Sequence, residues 1–189
     1  MNIFALDYDP VLAAQYQADK HVVKMITESC QMLSTAHRVL DGHPFTHITD
    51  SGRSIKRWHF TDNRNDHLYK ASHVNHPCNI WVRECDGNYN WLFFHACELS
   101  RQYTLRYDKI HACDNMLRNH LNKVPDNIRL GRRTEFAQAM PPQYRDPDPV
   151  YAYRLFYIHD KSRFAKWKLG NVPSWFAEAR NESMARNDH

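Results

Sequence analysis

Glycine is scarce in this chain, at five of 189 residues, and no two cysteines form a C-x-x-C pair. The first shortage argues against Gly-rich phosphate loops and against an all-β fold with many tight turns. The second argues against zinc fingers, whose ligand spacing is missing. The five cysteines (30, 78, 85, 97 and 113) are an odd number, which fits reduced, buried thiols better than a disulfide framework. No apolar run of about 18 residues is present and no basic-then-apolar leader opens the chain, so a cytoplasmic protein with no membrane contact is expected. G-x-S-x-G, H-E-x-x-H, Walker-type and dinucleotide fingerprints are all missing, which removes the usual serine-hydrolase, zinc-protease, kinase and Rossmann assignments.

What is abundant is aromatic and cationic. There are thirteen histidines, ten tyrosines, nine phenylalanines and five tryptophans, with a formal net charge of +4. Aromatics interleaved with cations suit stacking on bases and contact with phosphate, although most aromatics serve cores. The histidine spacings on offer (His43/His47, His73/His76, and His111 ahead of Cys113) match no metal signature, so no metal and no cofactor are expected.

Length fits a single helical domain over residues 1–189. Residues 1–6 read as a short strand or an extended arm packed on the core. Asp9 and Pro10 form a helix start, with Asp9 capping and Pro10 in the first turn. The period that follows predicts one helix to about Leu40, closed by Gly42 in a left-handed cap. Residues 43–76 show no period and are expected to be a functional loop region. After His76-Pro77 a second helical segment runs to about Ile110, with Asp86-Gly87 dividing a short helix from a longer one. Residues 134–140 read as one or two helical turns, 150–167 as a third helix dense in aromatics and cations, and 181–189 as a fraying polar tail. The expected fold is all-α: a compact bundle of long helices with a short extended N-terminal arm and irregular loops.

On the first helix Gln17, His21, Lys24, Glu28, Gln31 and Thr35 recur at spacings of four and three, which places them on one stripe. Leu12, Tyr16, Val23, Ile26, Cys30, Leu33, His37 and Leu40 form a mainly apolar stripe roughly opposite. Glu28 beside Lys24 and His21 is suited to acid/base work or to stabilising a developing cation, as glycosidic C–N cleavage requires. An amine nucleophile would complete that chemistry through a Schiff base. A terminal α-amine, ordinarily near pKa 8 against about 10.4 for lysine, is the easier one to use. The plainer alternative is a solvated Lys24–Glu28 pair, contributing about 0.2–0.5 kcal/mol.

Ala18-Asp19-Lys20-His21 followed by Glu28 resembles the first helix of the endonuclease V-type pyrimidine-dimer DNA glycosylases. The His76-Pro77 pair, and Arg106-Tyr107 ahead of His111, are similar to bacterial members. The resemblance implies a compact all-α enzyme that kinks DNA and flips out a nucleotide. It implies attack by the N-terminal amine, cleavage of the glycosidic bond, and strand scission by β-elimination without metal. Glu28 would then be the catalytic carboxylate, with His21 orienting it or contacting phosphate. Met1 supplies the nucleophile, with Lys24 as the substitute, since Asn2 favours retention of the methionine. Lys20, Arg57, Arg64, Arg154, Lys161 and Arg163 are candidates for the DNA backbone, and Trp58 or Tyr157 for the gap left by a flipped base. The chain departs from the family in carrying Thr27 and Gln31 where arginines flank the glutamate. Residues 43–72 and 141–189 have no counterpart in it. The chain also resembles proteins of large DNA phages with the same Asp-Lys-His helix, whose compartment would be the host cytoplasm. DNA is the expected partner, with no obligatory protein partner. The alternatives are a non-catalytic nucleic-acid-binding or phage interaction protein, and a nucleotide-modifying enzyme using the same helix face.

Overall fold

The computed structural model describes residues 1–187, with the side chains of 183–187 left undescribed. The chain is about 51% helical and 7% strand, a mixed helix-and-sheet architecture. That corrects the expected all-α bundle of long helices. Among the described residues only α2 (Asp19–Asp41) and α5 (Asp86–Tyr107) exceed twenty residues. The other helices are α1 (Pro10–Gln15), α3 (Arg64–His67), α4 (Pro77–Val82), α6 (Asp114–His120), α7 (Pro149–Phe156) and α8 (Ser174–Asn187). A two-stranded antiparallel ribbon, β1 (His43–Ile48) and β2 (Ser54–His59), occupies much of the segment expected to be loop. Its sequence gave no period because both faces carry exposed residues, so burial never forced an apolar–polar alternation. The fraying tail expected after Arg180 lies on α8 as far as Asn187, and residues 188–189 lie outside the described residues.

The arm of residues 1–6 is extended, and Ile3, Ala5 and Leu6 are fully buried. Burying Ile3 and Leu6 stabilises the seat by about 1.5–3 kcal/mol each. The Asn2 side chain shapes it. Its Oδ1 accepts the Ile3 and Phe4 amides at 2.8 and 3.0 Å, and its Nδ2 donates to the Ala139 carbonyl at 2.8 Å. Phe4 sits at φ 40°, a left-handed conformation unusual for a non-glycine residue, and stacks on His21 with ring centroids 4.3 Å apart.

Asp9 caps α1 as expected, accepting the Val11 and Leu12 amides, with Pro10 in the first turn. The helix does not continue unbroken to Leu40. Ala18 is extended at ψ 157°, and its amide donates to the Tyr157 hydroxyl at 2.8 Å. Arg106, from α5, holds the break open: Nη1 donates to the Gln17 carbonyl at 2.8 Å and to Asp19 at 3.0 Å, and Nη2 to the Gln15 carbonyl at 3.2 Å. The polar groups that an unbroken helix would satisfy internally are satisfied here from elsewhere.

Gly42 is not a left-handed cap. It is extended (φ −83°, ψ 155°), and the position needs glycine because a Cβ would lie 2.5 Å from the Arg38 carbonyl oxygen. A short helix and a longer one are formed as expected, but the break lies at residues 83–85, and Asp86-Gly87 are the first residues of α5. The helix expected over 134–140 is not formed: Thr134 donates its amide to Asn88, and the Ala137 carbonyl accepts from Tyr153, so side chains take the bonds a helix would make. The third helix stops at Phe156 and runs into a wider π-type turn, Tyr157–Lys161. One contiguous core links the arm with α1, α2, α4, α5 and α7. All five cysteines are free thiols.

Candidate active site at the amino terminus

The arm brings Met1 to the middle of α2. The Met1 amino nitrogen lies 3.7 Å from Glu28 Oε2, and the Asn2 amide donates to the same oxygen at 3.0 Å. Lys24 Nζ is 3.1 Å from the other carboxylate oxygen. The Met1 side chain is only 3% accessible, yet the residue as a whole is partly exposed, so it is the backbone end of Met1 that reaches solvent. Glu28 keeps 13% of its side chain accessible and Lys24 69%. An amine, a carboxylate and an ammonium thus meet at one partly exposed point.

Residues missed in the sequence build the far wall. Asn79, on α4, donates Nδ2 to Met1 Sδ at 3.1 Å and to the Ser72 and His73 carbonyls. It is 1% exposed and its Oδ1 has no partner among the described residues. His76 caps α4 by accepting the Cys78 amide on Nδ1 at 3.2 Å. Burial, then the charged Met1 amine and His73, hold its pKa below the ordinary histidine value. A neutral ring with Nδ1 accepting must carry its proton on Nε2, which makes His76 a donor. Their signal was present in the His76/Asn79 spacing of three, but without the arm's path nothing tied that pair to Met1.

His21 does not touch Glu28. Its Nδ1 pairs with the Tyr157 hydroxyl at 2.8 Å, and its ring packs on Phe4, Tyr157 and Phe164. Since that hydroxyl accepts the Ala18 amide, its own proton points to Nδ1, leaving His21 with Nε2–H. Burial, assisted by Lys161 and Lys24, depresses its pKa to about 3. Fully buried His95, stacked on Trp91 with centroids 5.0 Å apart, is likewise depressed to about 3, by burial. Both sites therefore bind a proton less readily than the unfolded chain, where histidine titrates near 6.5. Their contribution is whole above that pH and is lost as pH falls towards about 3. Urea unfolding should show stability lower by about 2 kcal/mol per histidine at pH 5 than at pH 7.5, since one unit is about 1.4 kcal/mol. His95→Asn should remove one such share. A flat stability over that range would contradict the burial of both rings.

Of the expected DNA-contacting residues, Lys20, Lys161 and Arg163 lie on this side, near Lys24, the expected substitute nucleophile. Lys20 lies over the Phe164 ring at 5.6 Å and Lys161 over Phe156 at 4.3 Å. Burial, with Arg163 and Lys24 nearby, lowers the Lys161 pKa. The others are elsewhere. Tyr157 is fully buried and cannot fill a gap in a base stack. Arg154 is tied to the Leu6 carbonyl and Asp7, under Trp175. Arg64 is engaged by Asp62 and Asp41. Arg57 donates to the Ala71 carbonyl, and Trp58 sits half-buried on the ribbon with Lys56 over its ring. Two polar positions of the stripe expected on the first helix, Gln17 ahead of α2 and Thr35 on it, are buried as well, so that stripe is a lined interior surface more than an open face.

Two concavities stand out. One of about 590 Å³ is lined by Pro77, Gln138, Arg145, Asp146 and Pro147, and one of about 970 Å³ lies between α7 and α8. Neither is lined by Met1 or Glu28. Among the described residues no group of three or more His, Cys, Asp or Glu side chains converges as metal ligands would, and no helix is long and apolar enough to cross a membrane. Compared with known proteins, the chain matches no family model, no curated protein and no solved structure.

Proposed function

We propose that the chain is a DNA-base glycosylase with lyase activity, acting on damaged or modified pyrimidines through the Met1 amine and Glu28. The observation that carries this is the 3.7 Å approach of the Met1 nitrogen to the Glu28 carboxylate, with the amine end open to solvent. In this chemistry the neutral amine adds its lone pair to the sugar C1′. The C1′–N bond breaks, and the base departs with the bonding electrons and a proton. The C1′–O4′ bond then opens, O4′ taking a proton from solvent, to give a protonated Schiff base that keeps one N–H, and removal of a C2′ proton from it expels the 3′-phosphate. Glu28 stabilises the positive charge that builds on the sugar and then on the imine nitrogen. Lys20, Lys24, Lys161 and Arg163 supply the phosphate contacts, and His76, close enough to Met1 to feel its charge, is available as a further donor through Nε2–H.

A second assignment has one observation in its favour: Glu28 already accepts the Asn2 amide, as a purely structural anchor of the terminus would. Borohydride reduction on duplexes carrying abasic or modified pyrimidine sites separates the two. The expected result is a covalent protein–DNA adduct mapping to residue 1, lost when one extra residue precedes Met1. No adduct and no released base across a lesion panel would leave Glu28 an anchor.

A further inference from the structure

The ribbon β1–β2 buries almost nothing. Every residue of β1 is exposed, with Phe45 at 42% and Ile48 at 59%. Two strands alone are marginally stable in water, so the ribbon depends on its base, where Arg38 donates to the Trp58 carbonyl at 2.9 Å and Arg57 to the Ala71 carbonyl at 3.1 Å. Its faces are unequal. Ile55 and Arg57 are half-buried on the side that leans on the body. Thr46, Ile48, Ser54 and Lys56 are exposed on the other, in the cross-strand pairs Thr46↔Lys56 and Ile48↔Ser54, beside the pair Pro44↔Trp58 whose tryptophan is half-buried at the ribbon's base. Core packing explains none of these four, and the charge on the ribbon and its turn is one-sided: Arg53, Lys56 and Arg57 against Asp50.

We propose that this outer face is a second, non-catalytic DNA-binding element that enters the major groove of duplex DNA. That groove, about 12 Å wide, admits a two-stranded ribbon. The four side chains are the kinds that base edges take. An ammonium meets guanine O6 and N7, hydroxyls meet donors or acceptors, and an aliphatic methyl meets the thymine methyl. Lys56, held 5.2 Å over the Trp58 ring, is partly ordered before contact. Arg38, at the ribbon's base, lies ten residues beyond Glu28 on α2, or about 15 Å along the helix. This role of the ribbon goes beyond the base-excision proposal and does not depend on it.

The test uses the full chain and an undamaged 24-base-pair duplex, with affinity read by fluorescence anisotropy across a salt series. Lys56→Ala should weaken binding about tenfold and lower the salt slope by about 1. The Thr46→Ala/Ile48→Ala pair should weaken binding with the slope unchanged. All three positions are exposed, and circular dichroism confirms that the variants fold. Duplex RNA, whose deep and narrow major groove excludes a ribbon, should compete poorly. Wild-type affinity and slope in Lys56→Ala, or equal competition by duplex RNA, would overturn the assignment. Base release from a short single-stranded lesion substrate is scored separately. A protein that releases no base yet binds duplex through the ribbon defeats the excision proposal alone, and one that releases base with ribbon variants unaltered on duplex defeats this one alone.

Discussion

Glu28→Gln is expected to slow base release and imine formation at least a hundredfold while the protein stays folded. Glutamine keeps the shape and still accepts the Asn2 amide, so what is removed is the charge opposite the developing cation. A preorganised electrostatic group of this kind is worth about 10²–10³ in rate. The stability cost is small, because the Lys24–Glu28 pair is open to solvent on the lysine side and such pairs contribute at most about 1 kcal/mol. Single-turnover release from a lesion duplex measures the first effect and urea unfolding the second. Full release by the variant would strip Glu28 of any role in the chemistry. A large loss of stability with no change in release would make it the terminal anchor instead.

Arg106→Met should cost about 3–5 kcal/mol of stability, the largest such effect expected at one position. The Arg106 side chain is inaccessible to solvent and serves the Gln15 and Gln17 carbonyls, Asp19 and Gln102 together. Methionine has comparable length and no donors, so the substitution leaves acceptors and part of a carboxylate unpaired in the interior while largely preserving volume. Because Arg106 fixes the break between α1 and α2, the angle at which α2 leaves Ala18 should loosen with it. The urea midpoint measures the loss, and a shift worth less than 1 kcal/mol would show that the break holds without the guanidinium.

The local signals were readable where a residue acts on its own neighbours. Asp9 with Pro10 starts a helix, the segment after Pro77 splits into a short helix and a longer one within three residues of Asp86-Gly87, and Ile3, Ala5 and Leu6 make an arm that belongs in the core. The Lys24/Glu28 spacing placed two members of the site together, since four residues on a helix bring side chains to the same face. What could not be read depends on residues far away in sequence. The break at Ala18 follows from Tyr157 and Arg106, the coil over 134–140 from Asn88 and Tyr153, and the seat of Met1 from Asn79. Tyr157 looked like a base-stacking side chain because composition reports ring and charge but not depth. The ribbon escaped notice for the opposite reason: having no buried face, it had no pattern to display.

The seating of the arm also has a consequence for the order in which the protein comes into being. Met1 and Glu28 lie within thirty residues of one another, yet several of the groups that hold them in register lie more than a hundred residues further along the chain. Asn2 waits for Ala139, Leu6 for Arg154 and Ala18 for Tyr157. A nascent chain owns the amine and the carboxylate long before it can keep them side by side. Their encounter is a property of the whole core, formed only when residues 139–157 have packed against the arm and the break at Ala18.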